Sequence, residues 1–536
     1  MGQGAKGKNQ PDAGLRNLDH YQSQLPTWRY WPRQKLLPLV RYETPYLAWF
    51  QEKIRSPSLD SYFAFAANLG THTFFTVFLP ILFWCGYPRI GRGMVHVLAS
   101  GVFFSGFTKD LLCLPRPLSP PLQRITMSGS AALEYGFPST HSTNAVSVAI
   151  YVLAALNSSD SAFGTGTNML VQALMYLYVS SIVLGRLYCG MHGFFDVVIG
   201  CILGAFLAFV QCSYGDRFDE YIIAGGIQNV IIVTLIVLAL VRLHPEPADD
   251  CPCFDDSVSF VGVFIGAQVA GWQFARSSVA WTEPWLATVP YRFESLGLSK
   301  TVFRIVFGVL LIFAWRETSK PFLLRILPPI FRGLGKLGLL LPRRFFTQAP
   351  EYTKVPSHLK DHDVLPNFSD IPSIITNMRH PRRRAVSVGP QSEADAYETL
   401  AYRQKRRRES LSDSSRASPA AEDASKQDSL PSDGRPAVVA RAQSKLNAYE
   451  NMMGSGSPRP RAAVVDDSDT RRSPIRLPEG NGKDPDEAEM FSRIKKPRVR
   501  YDVEVVTRLI VYAGIAWLVV SGGPVLFDVV GLGVRD

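Results

Sequence analysis

Cysteine, charge and an apolar leader are what this chain of 536 residues has little of. Its seven cysteines are scattered, too dispersed for a disulfide framework. The one close pair, Cys251-Pro-Cys253, lacks the second pair that would make a zinc site. The first 25 residues are rich in Gly, Gln and Asn and contain no apolar core, so no signal peptide is visible. Sorting to a membrane is therefore expected to rely on an internal hydrophobic segment. Charged residues make up only 19%, with 57 Lys+Arg against 46 Asp+Glu and a net charge of +11. Such a balance raises nucleic acid as a partner, but the basic residues gather in a stretch without interleaved aromatics or a binding fold, and that reading is set aside. The averages also hide a division between an apolar block at roughly 60–341 and a polar Arg/Ser/Pro-rich stretch at roughly 345–500. Neither part has the composition of a water-soluble globule.

What the chain does have is long apolar runs. Windows long enough to cross hydrocarbon as a helix fall at about 71–87, 93–113, 143–156, 169–185, 196–213, 227–243, 257–275, 302–315 and 506–530. The stretch 322–341 is interrupted by Arg325, Arg332 and Lys336 and reads as interfacial or as a weak span. The expectation is an all-α, multispanning membrane helical bundle of eight to ten spans. Its parts are a polar N-terminal segment (1–58), a membrane core (59–341), a disordered basic region (342–503) and a C-terminal transmembrane helix (504–536). The disordered reading rests on few aromatics and on clusters such as Arg382-Arg383-Arg384 and Lys405-Arg406-Arg407-Arg408. A basic segment beside a membrane favours the cytosolic side and anionic headgroups, and Arg382-Arg383-Arg384-Ala385-Val386-Ser387 has the look of a basophilic-kinase site.

Ionisable residues at membrane depth are costly and tend to be functional. Here they collect in three stretches. The first runs from Lys109 to Pro117 and includes Arg116; alone, such residues at a helix end are ordinary snorkelling cations. The second is Tyr135-Gly136-Phe137-Pro138-Ser139-Thr140-His141-Ser142-Thr143-Asn144, a helix start whose N-terminus attracts anions. Capping accounts for Ser139 and Thr140 but gives no reason for His141. The third runs from Gly185 to Asp196. His192 and Asp196 are four residues apart and share one helix face, so the carboxylate can fix the imidazole tautomer and free the other nitrogen as a nucleophile. Counting spans places all three stretches on one side of the membrane. There Lys109, Arg116 and Arg186 suit a phosphate dianion and the further charge of a phosphoryl-transfer state. No acidic cluster of the kind that holds Mg²⁺ is evident, so no metal and no cofactor are expected.

The pattern Lys109, six residues, Arg116-Pro117; then Pro138-Ser139-Thr140-His141; then Arg186, five residues, His192, three residues, Asp196 resembles the three-part signature of the type 2 phosphatidic-acid phosphatase superfamily. The local sequences around 135–145 and 185–193 are most similar to the sphingoid long-chain-base phosphate phosphatases, which act on dihydrosphingosine 1-phosphate and its relatives. Two positions depart from the usual signature: Gly185 stands where a Ser is common, and Thr140 where a Gly is common. The resemblance implies a hydrolase of the endoplasmic reticulum membrane with its site on the lumenal face. It implies that His192 attacks phosphorus to give a phosphohistidine, that Asp196 orients it, and that His141 protonates the leaving alkoxide and then activates water. Lys109, Arg116, Ser139, Thr140 and Arg186 would hold the phosphate. Its partners would be a sphingoid base phosphate and the surrounding membrane lipids. The rival readings are a broader phosphatase for phosphatidate or lysophosphatidate, a transporter that kept the fold, and a haloperoxidase use of the same pocket. The transporter reading predicts a broken set of charges, and the set is intact; nothing points to peroxide chemistry.

Overall fold

The computed structural model describes residues 13–16, 18–119, 121–125, 133–158, 164–283, 285–338, 343–355 and 499–534. Helices dominate. After a short α1 (Leu18–Gln24) come α2 (Thr27–Ile54), α3 (Pro57–Leu69), α4 (His72–Trp84), α5 (Pro88–Leu112) and α6 (Thr140–Leu156). Then follow α7 (Thr165–Tyr188), α8 (Phe194–Ile223), α9 (Ile227–Leu243), α10 (Cys253–Phe274) and α11 (Phe293–Lys336). The chain closes with α12 (Val503–Trp517), a π-turn over Leu518–Gly522, and α13 (Gly523–Val529).

Six of these segments are long and apolar enough to span a membrane, or up to seven if the pair α3 and α4, bent by 52°, counts as one span. The apolar helices α6 and α9 are shorter, at 17 residues each. The stretch at 322–341 that read as ambiguous is mostly the continuation of α11, which is broken near its start by a kink at Gly297 (φ 67°) and runs on as a helix to Lys336. Burial sorts the spans. In their most apolar windows α5 is 78% buried and α10 72%, whereas α7 is 28% and α8 33%. The exposed faces of the outer helices carry Leu170, Leu174, Leu177, Ile202, Phe206, Phe209, Leu235 and Ile236. An apolar girdle of that extent belongs in lipid.

Small residues set the helix spacing that the site requires. A Cβ on Gly200 of α8 would lie 2.7 Å from the Ser139 carbonyl oxygen, and one on Gly204 would strike the Thr143 carbonyl, so both positions keep α8 against the start of α6. Local signals account for the helix starts: Ser56 Oγ, Thr71 Oγ1 and Ser139 Oγ each accept a first-turn amide, and Pro57 and Pro88 open α3 and α5.

The 1–58 segment expected to be polar contributes α2, whose three prolines (Pro32, Pro38, Pro45) lie within its helix. It packs across the loops at one end of the bundle. Arg29 Nε donates to the Leu111 carbonyl (2.9 Å), Arg33 Nε to the Cys113 carbonyl (3.2 Å), and Gln51 Nε2 to the Tyr188 carbonyl (2.8 Å). Most of the expected disordered region, and all of its Arg clusters and the Ser387 site, lies outside the described residues. Its two edges meet: β1 (Phe346–Thr347) pairs in parallel with β2 (Arg500–Tyr501). Arg500 Nη1 donates to the Cys251 carbonyl and Arg343 Nη2 to the His244 carbonyl. Since His244 follows α9 and Cys251 precedes α10, the insert leaves and rejoins the bundle at the same end that α2 covers.

Candidate active site

The site forms where four helix ends converge. The last turn of α5 delivers Lys109, and the chain turns through Cys113, in the left-handed region at φ 51°, into the Pro-rich loop bearing Arg116. Ser139 caps α6, Arg186 occupies the last turn of α7, His192 sits in the short link that follows, and Asp196 lies in the first turn of α8. Lys109, Arg116, Ser139, Arg186, His192 and Asp196 are all no more than 5% exposed, while Thr140 and His141 are half-buried. Three stretches separated by up to 87 positions thus reach one end of the bundle, the end that the span count assigned to them.

His192 is held by backbone. Its Nδ1 lies 2.8 Å from the Gly136 carbonyl oxygen, an atom that can only accept, so the ring proton resides on Nδ1 and the lone pair on Nε2. Nε2 in turn faces Arg116 Nη1 at 3.2 Å. The nitrogen expected to be the nucleophile therefore faces the guanidinium expected to bind a phosphoryl oxygen. Burial, followed by the charges of Arg116, Lys109, Arg186 and His141, pushes the pKa of His192 well below the ordinary imidazole value of 6.5. The imidazole is accordingly neutral across the physiological range, as a nucleophile must be. That His141 acts on His192 also places the two imidazoles within electrostatic reach. The His141 ring packs under the end of α3, where a Cβ on Gly70 would be 3.1 Å from its Cδ2.

The role expected of Asp196 changes in detail. Its Oδ2 is 3.7 Å from His192 Nδ1, beyond hydrogen-bond range, and accepts instead from the Gly193 amide at 2.9 Å. Orientation of the ring belongs to the Gly136 carbonyl, with the carboxylate as a second, electrostatic neighbour. Ser139 is engaged as a cap: its Oγ accepts from the Ser142 amide at 3.3 Å and contacts Ser142 Oγ at 2.9 Å. Thr140 Oγ1 pairs with Ser105 Oγ at 2.9 Å, which directs that hydroxyl toward α5. Arg186 is buried, and its Nε has no hydrogen-bond partner among the described residues.

Three contributors were missed. Gly136 acts through its carbonyl, which no side-chain pattern reports. Glu43 of α2 accepts from the Phe195 amide at 2.9 Å and so shares the N-terminus of α8 with Asp196. Glu134 holds two of the cations: its Oε2 is 3.0 Å from Arg116 Nη2 and 3.6 Å from Lys109 Nζ. An acidic residue one position before the second motif was the available signal for Glu134; Glu43 had none.

Among the described residues, the His, Cys, Asp or Glu group compact enough for a metal ion is Asp110, Cys251 and Cys253. It contains neither histidine of the site. Its two sulfurs are joined as a disulfide, so thiolate ligation would first require reduction. The pair read from sequence as isolated is thus a local cross-link.

Residues 90–218 match the PAP2 superfamily, which encloses all three motifs. A dihydrosphingosine 1-phosphate phosphatase of Schizosaccharomyces pombe is 40% identical over 332 residues, 62% of this chain and 79% of that protein. Another, from Saccharomyces cerevisiae, is 34% identical over 57% of this chain and 74% of its own length. The chain belongs to the sphingoid base phosphate phosphatases of the PAP2 superfamily. It is a hydrolase of the membrane, and the transporter reading falls with that finding. A lipid phosphate phosphatase of Arabidopsis thaliana is 30% identical over 53% of this phosphatase. No solved structure matches it.

Proposed function

We propose that this phosphatase hydrolyses the monoester of sphingoid base 1-phosphates, releasing the free base and inorganic phosphate through a phosphohistidine at His192 and without a metal ion. One observation carries the reading: a neutral imidazole with Nδ1 fixed on the Gly136 carbonyl turns Nε2 toward Arg116 Nη1, 3.2 Å away. The two fungal relatives, both named dihydrosphingosine 1-phosphate phosphatases, support the substrate.

In the proposed sequence Lys109, Arg116 and Arg186 neutralise the phosphate dianion, and the α6 N-terminus with Ser139 and the Thr140 amide adds dipole stabilisation. The lone pair of His192 Nε2 attacks phosphorus as the ester P–O bond breaks, and His141 gives its proton to the departing alkoxide. His141, now neutral, takes a proton from water as that water attacks the phosphohistidine; the P–N bond breaks and the electron pair returns to Nε2. As charge builds on the phosphoryl oxygens in both steps, the fixed cations bind the transition states more tightly than the substrate.

The test is a release assay with purified protein in excess EDTA, comparing dihydrosphingosine 1-phosphate with phosphatidate. The reading expects turnover in chelator and a preference for the sphingoid substrate. Loss of activity in EDTA would contradict the metal-free chemistry, and preference for phosphatidate would favour the broader activity suggested by the plant relative's name.

The membrane is proposed to be that of the endoplasmic reticulum, with the site on the lumenal side. The sequon at Asn157 follows α6 at the opposite end of the bundle and should then stay unmodified. The basic insert emerges on the site end and pulls toward the cytosol by charge alone. Glycan at Asn157 would therefore overturn the lumenal placement.

A further inference from the structure

The phosphate-binding cations already have an anion. Glu134 sits directly before Tyr135, whose hydroxyl donates to Asp249 Oδ2 (3.0 Å) and accepts from the Asp249 amide (2.8 Å). Tyr21 donates to that same oxygen at 2.8 Å, so the segment carrying Glu134 is anchored to the α9–α10 loop. From this fixed backbone the carboxylate lies 3.0 Å from Arg116 Nη2 and 3.6 Å from Lys109 Nζ, while the Glu134 carbonyl accepts from Arg116 Nε at 3.2 Å. The side chain of Glu134 is 24% exposed, against 5% for Arg116 and 6% for Lys109. It is therefore the outermost member of the trio.

A phosphate dianion that takes up Lys109 and Arg116 must displace this carboxylate from them. An anion displaced only a short way remains beside a dianion, in a buried setting where repulsion is strong. A substrate that brings its own cation removes the conflict. Sphingoid base 1-phosphates do so, because their ammonium is on the carbon next to the one bearing the phosphate. Glycerol-based lipid phosphates and simple alkyl phosphates bring none.

We infer that Glu134 reads the substrate's amine: phosphate and ammonium of the zwitterion exchange partners with the Lys109–Arg116–Glu134 trio. Phosphate occupies the cations and ammonium takes the carboxylate. The inference rests on the sphingoid substrate proposed above and adds the residue that selects it. A site built to pair a polar group discriminates strongly against analogues that lack it, because its own group is then left unpaired.

The experiment compares kcat/KM for dihydrosphingosine 1-phosphate and octadecyl phosphate, a chain of the same length without the amine, in the full-length wild type, E134Q and E134D. The wild type should favour the amine-bearing substrate. E134Q should lose about 10–100-fold on it, the range for a hydrogen bond to a charged group. Octadecyl phosphate, no longer competing with a carboxylate, should hold or gain. E134D, which keeps the charge on a shorter stem, should retain part of the preference. Detergent melting temperature and monodispersity, read without either substrate, report an intact fold in each preparation. An equal fall on both substrates would make Glu134 a support for the cations, and an equal rise would make it a plug; either overturns amine reading. A wild type inactive on dihydrosphingosine 1-phosphate but active on octadecyl phosphate would instead remove the proposed function itself.

Discussion

Two buried charged clusters lie at opposite ends of α5, roughly 25 Å apart along the helix. At its beginning Arg92 Nε meets Asp219 Oδ2 at 2.7 Å, and His96 has Gln211 Oε1 on Nδ1 (3.2 Å) and Gln268 Nε2 on Nε2 (2.8 Å). One cation faces one carboxylate, and each imidazole nitrogen has a side-chain partner. At the other end Lys109 and Arg116 both pair with Glu134, and the carboxylates of Asp256 and Asp110 act further on Lys109. Arg186 Nε lacks a hydrogen-bond partner among the described residues, and the His192 ring turns one nitrogen to backbone and the other to a cation. The first cluster is balanced, one cation to one carboxylate, although Asp219 Oδ1 lacks a hydrogen-bond partner among the described residues. The second gathers Lys109, Arg116 and Arg186 within electrostatic reach of the His192 ring. Burial is similar at both ends, so burial of charge does not by itself mark a site; what differs is three cations set around one imidazole.

That contrast can be broken by mutation. Replacing His192 with Ala should abolish phosphate release to the level of the uncatalysed background, since no second nucleophile occupies its place. His141→Ala should reduce turnover by about 10²–10⁴-fold, the usual worth of a positioned acid–base group. Activated substrates with good leaving groups should recover much of that loss, and failure to recover would remove the general-acid role. Arg116→Lys should cost about 10–100-fold in kcat/KM through loss of the planar fork, measured on the folded fraction because Arg116 also holds the Glu134 and Met191 carbonyls. At the balanced end the outcome inverts. Arg92→Ala leaves Asp219 buried without its partner and should cost about 3–5 kcal/mol of stability in a detergent melt, while the surviving folded fraction keeps its kcat.

The same comparison was only partly legible in the sequence. Apolar runs gave the spans because hydrocarbon demands about 20 consecutive apolar residues and little else imposes that pattern. The three motifs gave His141, His192 and the cations because charge next to such runs is conspicuous. The strap formed by α2 was invisible. It has no long apolar run, and its buried Arg29, Arg33 and Glu43 face the backbone of helix ends and the loop at Cys113 rather than hydrocarbon, which leaves no periodic trace. The partner of His192 was misassigned to Asp196 alone for a related reason. An i,i+4 pair can be read from spacing, whereas a carbonyl from a loop 56 positions away cannot.

The depressed pKa of His192 adds a pH signature to the contrast. Its folded pKa lies below the value of 6.5 that an unfolded imidazole has, so the folded state binds fewer protons as pH falls. This residue's contribution to stability is present above pH 6.5 and is lost as pH drops from there through the folded pKa. Activity should accordingly show no loss attributable to His192 on acidification to pH 6.5, and Arg116→Ala, which removes a repelling cation, should move the acid limb of kcat/KM upward. An unmoved limb would show that the cation does not govern this imidazole.

The central claim is covalent catalysis by His192, and rapid quench into base tests it most directly. Purified protein mixed with dihydrosphingosine [³²P]1-phosphate and stopped within one turnover should carry an acid-labile, base-stable label. Peptide mass spectrometry should place it on His192, and it should disappear in His192→Ala. A label on His141, or wild-type turnover with no covalent phosphate at any quench time, would contradict the account.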